Sequence, residues 1–303
     1  MRRYTLRQLD TFIEVARQHS ISRAAIALDV SQPAVSMQLH QLEEIVGTPL
    51  YEPIGRRVRL TDAGEEVLQH ALAATAELRQ LDDAMAARRG IRKGSVALAI
   101  VSTAKYFVPR LLVLFRKKFP DIEITLQIHD RESIMALLMR NEVDLVIMGR
   151  APDTNDCSAC AFATNPLGVI CAPEHPLSRR RQAPLSILND QVFVVRESGS
   201  GTRHAMERLF GEHRIQPRIA MEMPSNETIK QAVMAGMGMS FLSLRTTRQE
   251  LASGHLVLVD IDGLPILRHW HITHLAGKRL SPAALAFKAF IVDEAASLIR
   301  SWA

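Results

Sequence analysis

Aromatic side chains are scarce in this chain and make up 5% of its 303 residues. Proteins that bind single-stranded nucleic acid stack the bases on aromatic rings, so this scarcity argues against that kind of binding. The chain also has no run of 18 apolar residues, and residues 1–5 lack the apolar core of a signal peptide. We therefore expect neither a transmembrane helix nor secretion.

Cysteine is rare as well, with three residues in the chain. The spacing Cys157-Ser-Ala-Cys160 is compatible with a redox pair or with half of a metal site. The odd total, the lack of a second pair and the lack of a nearby histidine at ligand spacing weaken both interpretations. We expect no bound metal, and oxidation of Cys157 and Cys160 stays open as an alternative trigger.

Common enzyme signatures are missing from the sequence. It has no nucleophile elbow, no metal-ligand cluster and no dinucleotide fingerprint, so an enzyme is the weakest functional hypothesis.

The net charge of +5 and the pI near 9.4 suit a polyanionic partner, although a merely soluble basic protein has the same balance. The apolar content of 47% is enough for more than one core.

Residues 22–47 have the pattern of two short helices joined by a tight turn. Ser22 is a candidate cap of the first helix. Ser31 is the predicted N-cap of the second, with Pro33 in the first turn, where its missing N–H is harmless. The buried stripe of the second helix is spaced by four, three and four residues and consists of Val35, Leu39, Leu42 and Val46.

The opposite face of the second helix carries small side chains of the kind that the major groove of DNA accepts. The candidate DNA contacts are Ser22, Ser31, Gln32, Pro33, Ser36, Met37 and His40.

A basic hairpin is predicted next, with strands at 50–52 and 58–60 and a turn that carries Arg56 and Arg57. Such arginines contact phosphates or a narrow minor groove, whereas a solvated basic turn is the alternative.

A long helix is predicted from a cap at Thr61 to about Arg89. Its apolar residues recur at alternating spacings of four and three, which is a heptad seam that one helix cannot bury alone. This candidate dimer contact consists of Val67, Ala71, Ala74, Leu78, Leu81 and Met85. Packing of the seam on the C-terminal domain of the same chain is the alternative. Gly90 and Gly94 bracket a basic hinge.

From residue 95 strands and helices alternate, which predicts parallel sheets covered by helices on both faces. The first series has strands at 96–101, 122–128 and 143–148 and helices at 104–119 and 131–140. The second has strands at 169–171, 192–195, 219–223 and 239–243 and helices from residues 202 and 226. A final strand at 269–274 and a final helix at 281–302 fit the first sheet. Two lobes of this kind bind ligands between them, at the carboxyl ends of strands.

Polar residues follow the predicted strand ends. Ser102 and Thr103 begin a helix whose free N–H groups attract an anion, and the loop at 196–203 combines glycines and hydroxyls between two arginines. The alternatives are a flexible turn with a helix cap for the loop and a solvated end for each arginine. The candidate effector-binding residues are Ser102, Thr103, Arg131, Arg150, Ser198, Ser200, Gly201, Thr202 and Arg203, and they point to a small anionic, phosphorylated metabolite.

The order of these motifs resembles that of the LysR-type transcriptional regulators. The matching stretches are residues 6–9, 22–25, 31–36, 41–43 and 57–64. This resemblance implies a winged helix-turn-helix, a linker helix that forms an antiparallel dimer, a two-lobed α/β regulatory domain like periplasmic binding proteins, and a bacterial cytoplasmic location. The family commonly has Arg where this chain has Met37, which favours an apolar contact such as a thymine methyl.

Within the family, residues 35–38, 102–107, 165–167, 175–177 and 199–203 look most like the CbbR-type regulators of carbon-dioxide-fixation (RuBisCO) operons. The resemblance implies double-stranded operator DNA and RNA polymerase as partners, homodimers that assemble to homotetramers, and a sugar phosphate or NADPH as effector. Control of another metabolic operon is the alternative. The expected domains are 1–60 for DNA binding, 61–91 for the linker helix and 92–303 for regulation, with lobe I at 92–164 and 268–303 and lobe II at 165–267.

Overall fold

The computed structural model describes residues 4–54, 57–88 and 94–301. Its helices are α1 (Leu6–Gln18), α2 (Ile21–Ala27), α3 (Gln32–Val46), α4 (Asp62–Arg88), α5 (Val108–Lys118), α6 (Arg131–Met139), α7 (Gly201–Glu212), α8 (Asn226–Met234), α9 (Arg248–Ala252) and α10 (Pro282–Ser301). Its strands are β1 (Tyr51–Ile54), β2 (Arg57–Leu60), β3 (Gly94–Val101), β4 (Ile122–His129), β5 (Leu145–Met148), β6 (Cys157–Cys171), β7 (Val192–Arg196), β8 (Arg218–Met223), β9 (Ser240–Ser243), β10 (Val257–Leu258) and β11 (Ile266–Leu275).

The chain folds into two separate units. Unit 1 comprises Met1–Ile91 and Met139–Glu142, and unit 2 comprises Arg92–Leu138 and Val143–Ala303. None of the helices formed by the described residues is both long enough and apolar enough to cross a membrane.

Helices α1 to α3 and the β1–β2 hairpin surround a small core in unit 1. Three residues of the predicted stripe, Val35, Leu39 and Leu42, are buried there, and the fourth, Val46, packs at its edge. Burial of each large apolar side chain stabilises the fold by about 2 kcal/mol. The helical spacing therefore predicted correctly which face of α3 turns inward.

The caps of the two short helices differ in how well the sequence predicted them. Ser31 caps α3 as expected, with its hydroxyl accepting the Ala34 N–H. Helix α2 begins earlier than expected and is capped by Ser20, so the prediction of Ser22 as its cap is wrong. Ser22 lies inside α2, because two serines two residues apart offer the same capping chemistry and the sequence does not choose between them.

The hairpin after α3 is longer than predicted. Its register pairs Tyr51 with Leu60 and Ile54 with Arg57. Arg57 is therefore a strand residue, which corrects its expected place in the turn, and Arg56 lies outside the described residues. The first turn of α4 packs closely against the residue before β1. A Cβ at Gly64 would lie 1.9 Å from the Leu50 carbonyl oxygen. Only glycine fits at that position.

Helix α4 begins at the predicted cap, where the Thr61 hydroxyl accepts the Gly64 N–H. Its first turns pack within the same unit: Ala71 is buried with Ile13 of α1, and Val67 packs against the core of the helix-turn-helix. The chain itself therefore covers Ala71 and part of Val67, two positions of the expected dimer seam. The remaining seam positions, Ala74, Leu78, Leu81 and Met85, are exposed.

In unit 2, seven of the described strands form one sheet in the order β10-β6-β11-β5-β3-β4, with β9 also paired to β6. Strand β3 is parallel to β4 and β5, but β6 and β11 are antiparallel over most of their length. The expectation of purely parallel sheets is thus wrong for these two strands. The sequence pattern did not predict a strand at 157–168, because small and polar residues there do not alternate with apolar ones.

Two groups of cores divide unit 2 into the lobes of a periplasmic-binding-protein-like domain. We call the part with β3–β5, α5, α6 and α10 lobe I, and the part with β7–β10 and α7–α9 lobe II. On β6 the side chains change from the lobe I core to the lobe II core between Ala163 and Leu167. On β11 the change falls between Ile266 and Trp270, so two paired strands run through both lobes.

A short 3₁₀ turn, Ser102–Tyr106, follows β3 where the sequence predicted the first turns of a longer helix. The α-helix begins at Val108, because Pro109 favours the first turn of a helix and disrupts the interior of one. The break keeps the residues after β3 at the carboxyl end of that strand.

Candidate functional site

The exposed face of α3 presents the side chains predicted to contact DNA. Gln32, Pro33, Met37 and His40 are exposed, and Ser36 is half-buried. The Ser22 hydroxyl donates to Gln32 Oε1 at 3.1 Å, so α2 holds the carboxamide at the start of α3. Gln32 is exposed, and its carboxamide keeps a free donor group, which suits the reading of a base edge in the major groove.

A basic groove beside the hairpin adds arginines that the sequence analysis did not select. Arg23 of α2 and Arg59 of β2 line it together with the predicted Arg57. Arg57 and Arg59 share one face because they are two residues apart on a strand. That alternation was the available signal for Arg59, whereas only the packing of α2 brings Arg23 into the groove.

A cleft between the lobes of unit 2 brings together most of the predicted effector-binding residues. The cleft is lined by both apolar and polar residues, as is usual for a ligand site. Lobe I and lobe II both contribute, and the predicted residues in its lining are Ser102, Thr103, Arg131, Arg150, Ser200, Gly201 and Thr202. The lining residues absent from the predicted set are Val101, Asp130, Gly149, Asn165, Leu167, Arg196, Glu197 and Arg268.

Two predicted residues, Ser198 and Arg203, are absent from that lining. Arg203 donates to Glu207 Oε1 at 2.6 Å and to the Arg196 carbonyl at 3.3 Å. Successive helical residues are rotated by about 100°, so α7 directs Gly201 and Thr202 into the cleft and Arg203 elsewhere. Arg203 is thus held by Glu207 and the Arg196 carbonyl, apart from the lining that the other predicted residues share.

Arg196 replaces Arg203 as the arginine of this loop that reaches the cleft. It is buried, and its Nε and Nη2 donate to both carboxylate oxygens of Glu197 at 2.7 and 2.6 Å. Nη2 also donates to Ser102 Oγ of lobe I at 3.1 Å, and Nη1 donates to Asn226 Oδ1 at 2.8 Å. Since Glu197 balances its charge, Arg196 holds the lining in place and adds little net positive charge.

Arg131 and Arg268 supply the positive charge that is not balanced in this way. Arg131 donates to the carbonyls of Arg150 and Ala151 at 2.6 and 3.3 Å, and Arg268 donates to the Gly201 carbonyl at 3.3 Å. Among the described residues, no carboxylate lies within 4 Å of either guanidinium. The arrangement leaves two cations facing one cleft.

Burial and mutual repulsion act on these two cations. Burial and the neighbouring Arg150 lower the pKa of Arg131, and the charge of Asp153 partly offsets them. Burial likewise lowers the pKa of Arg268 to about 10, with contributions from Arg150 and Arg131. Both groups stay charged at neutral pH, so an anion in the cleft relieves an electrostatic penalty.

Asp130 stays ionised in the cleft lining, but among the described residues it forms no ion pair with Arg131 or Arg268. Its carboxylate accepts the N–H and the hydroxyl of Ser133 at 2.9 Å each, which caps the first turn of α6. The backbone hydrogen bond from Ser133 lowers the pKa of Asp130 more than burial raises it. Both oxygens are thus directed at α6, and Arg131 and Arg268 remain available to a ligand.

The two closely spaced cysteines do not form a pair in this fold. Cys157 and Cys160 lie three residues apart on β6, a separation of about 10 Å along a strand, whereas a disulfide requires Cα atoms closer than about 7 Å. They also pack against different cores, one on each face of the sheet. Burial and the neighbouring Asp156 raise the pKa of the Cys157 thiol, which makes it less reactive.

Comparison with known proteins identifies both parts of the chain. Residues 6–65 match the family model "Bacterial regulatory helix-turn-helix protein, lysR family", and residues 89–296 match the "LysR substrate binding domain". The RuBisCO operon transcriptional regulator of Allochromatium vinosum is 45% identical over 97% of each chain. The HTH-type transcriptional activator CmpR of Synechocystis is 42% identical over 98% of this chain and 99% of its own.

A solved structure supports the same assignment for unit 2. The regulatory domain of CcmR from Synechocystis, in complex with 2-PG, is 41% identical and superimposes with a TM-score of 0.63, covering 67% of this chain and 99% of that domain. The matched domains and relatives are those of transcriptional regulators and not of enzymes. The chain therefore belongs to the LysR family of bacterial transcriptional regulators, with a helix-turn-helix DNA-binding domain and an effector-binding domain.

Proposed function

We propose that this protein controls a carbon-dioxide-fixation operon in the bacterial cytoplasm and responds to a small phosphorylated anion bound between lobe I and lobe II. In this proposal, homodimers or homotetramers bind operator DNA through α3 and the β1–β2 hairpin, and RNA polymerase is the partner at the promoter. Relatives from Allochromatium vinosum and Acidithiobacillus ferrooxidans, 45% and 42% identical, carry the name RuBisCO operon transcriptional regulator, which supports the choice of target genes.

The observation that carries the effector proposal is the pair of guanidiniums, Arg131 and Arg268, in one cleft, neither of which forms an ion pair with a carboxylate of the described residues. Two cations without carboxylate partners match a ligand with two negative charges, and guanidinium groups bind phosphate oxygens in a bidentate way. The hydroxyls of Thr103 and Thr202 and the N-terminus of α7 add hydrogen-bond donors on either side. The complex of the CcmR domain with the small anion 2-PG supports this class of ligand.

A ligand in this position acts by changing the populations of lobe arrangements. Thr103 and Arg131 belong to lobe I and Thr202 to lobe II, so an anion that contacts all three favours one arrangement of the lobes. If one lobe arrangement binds the effector more tightly than the other and also binds the operator with a different affinity, then effector binding changes the affinity for the operator. By linkage, operator binding changes the affinity for the effector by the same factor. The regulator would then respond without covalent chemistry.

Titration of the full-length protein tests the proposal. We expect 2-PG to bind with an affinity at least tenfold above that of inorganic phosphate, and to change the affinity of the protein for DNA from upstream of its own gene. NADPH, included as a competing candidate, is expected to bind more weakly because of its size. The effector proposal fails if calorimetry detects no binding of any of these anions, and the DNA-binding proposal fails if upstream and random duplexes bind equally.

Control of a different metabolic operon is the second candidate, because the LysR family matches do not themselves define the target genes. Transcript levels in a strain that lacks the gene separate the two. Changed expression of RuBisCO genes supports the first candidate, and unchanged RuBisCO expression with altered expression of neighbouring genes supports the second.

A further inference from the structure

The 3₁₀ turn Ser102–Tyr106 in lobe I contacts lobe II at both of its ends. At the first end, Ser102 Oγ accepts from Arg196 Nη2 at 3.1 Å. At the second, the Tyr106 hydroxyl donates to Glu227 Oε1 on α8. The four residue steps from Ser102 to Tyr106 span about 8 Å of 3₁₀ helix, so two separate points fix the orientation of this turn on lobe II.

The lobe II side of these contacts is itself well ordered. The side chain of Lys230 on α8 is only 3% exposed and binds Glu227 Oε2 at 3.0 Å and Glu250 Oε1 at 2.7 Å. Its Nζ also lies 5.2 Å from the centre of the Tyr106 ring, within the range of a cation–π contact. Lys230 therefore fixes both the acceptor of the Tyr106 hydroxyl and the ring that carries it.

Charge states favour the contact between Tyr106 and Glu227 at neutral pH. Burial and the bond to Glu227 raise the pKa of Tyr106, so its hydroxyl keeps its proton. Burial raises the pKa of Glu227, but the hydrogen bonds from Tyr106 and Lys230 outweigh it and leave that pKa below its ordinary value. A neutral donor thus faces an ionised acceptor, which is the stronger kind of hydrogen bond.

We propose that Tyr106 is a positioning residue for the effector cleft: its hydrogen bond to Glu227 holds lobe I and lobe II in the arrangement that brings the anion-binding groups together. This inference rests on the proposed function for its ligand. Tyr106 does not line the cleft, whereas Ser102 and Thr103, in the same turn, do. Loss of the bond reduces the population of the assembled cleft, and the apparent affinity for the ligand falls by the same factor.

Three variants of the full-length protein test this role. Tyr106→Phe removes the donor and keeps the ring over Lys230. Glu227→Gln keeps an acceptor oxygen for Tyr106. Tyr4→Phe, at an exposed tyrosine of unit 1, is the matched control. We expect the 2-PG dissociation constant from calorimetry to rise about three- to tenfold in Tyr106→Phe, to rise less in Glu227→Gln and to stay unchanged in Tyr4→Phe.

Hydrogen exchange without ligand separates this inference from the effector proposal. We expect Tyr106→Phe to accelerate amide exchange in residues 102–107 and 226–230 while the helices of unit 1 exchange as in the wild type. Unchanged exchange in both segments, or an unchanged 2-PG affinity beside faster exchange, overturns the positioning role. Failure of the wild type to bind 2-PG, inorganic phosphate and NADPH alike refutes the effector proposal instead, and the exchange data then decide alone whether Tyr106 joins the lobes.

Discussion

At the scale of single residues, the charge of Arg268 is expected to affect both ligand binding and the stability of the ligand-free fold. Burial lowers its pKa to about 10, and its hydrogen bond goes to the Gly201 carbonyl. A buried cation without a carboxylate destabilises the ligand-free fold, and a bound anion reverses that effect. The guanidinium stays protonated in both folded and unfolded chains below about pH 10, so it adds no pH dependence to stability near neutrality.

Substitution of Arg268 by Gln is therefore expected to separate binding from stability. Affinity for 2-PG should fall at least tenfold, since a charge-assisted hydrogen bond contributes about 1.5–3 kcal/mol, while the melting temperature without ligand stays the same or rises. Calorimetry and thermal unfolding measure the two effects. Arg181→Gln, at a side chain that is 87% exposed, is the control and should change neither. A drop in melting temperature without a loss of affinity would contradict the assignment.

At the scale of elements, the contact between α2 and α3 decides how Gln32 is presented. Gln32→Ala is expected to weaken operator binding about tenfold and binding to random DNA much less, because the loss is of a base contact. Ser22→Ala should have a smaller effect of the same kind, since it removes the bond that orients Gln32. Gel-shift titrations on both duplexes measure this, with Gln249→Ala on α9 as control. Equal losses on operator and random DNA would exclude base reading by Gln32.

The β1–β2 hairpin is expected to act through charge. Arg57→Ala and Arg59→Ala should each weaken binding to operator and random DNA by similar factors. Each should also reduce by about one the slope of the logarithm of affinity against the logarithm of salt concentration, because one phosphate contact is lost. Binding measured between about 50 and about 200 mM salt gives that slope. Arg179→Ala in unit 2 is the control, and a wild-type slope in the hairpin variants would remove these arginines from the interface.

At the scale of the whole molecule, the exposed half of α4 is the surface for which we propose a dimer. Leu78 and Leu81 are 38% and 54% exposed, although their heptad spacing is that of a buried seam. Leu81→Glu is expected to shift the protein toward monomer in sedimentation velocity and to weaken operator binding, since a dimer reads two half-sites. Glu77→Gln, one turn away at an exposed polar position, should leave assembly intact. A Leu81→Glu protein of wild-type mass would place the dimer contact elsewhere.

Local sequence was sufficient to predict the DNA-binding part. The stripe at Val35, Leu39 and Leu42 and the cap at Ser31 depend on interactions within a few residues. Such interactions follow directly from helical spacing and from hydrogen bonding near the helix ends. The error between Ser20 and Ser22 has the same origin, because both serines satisfy the local rule.

The sequence by itself determined the helix-turn-helix, the heptad spacing of α4 and the alternation of strands and helices in the regulatory domain, because each is a periodic pattern of burial. Tertiary structure alone decided which arginines face the cleft. Arg203 directly follows residues that line the cleft, but its side chain binds Glu207 outside that lining. Arg268 lies on a strand 67 residues after Gly201 and donates to the Gly201 carbonyl in the cleft. The direction of a side chain depends on the rotation of its helix and on the register of β6 against β11, which are set by packing between distant segments.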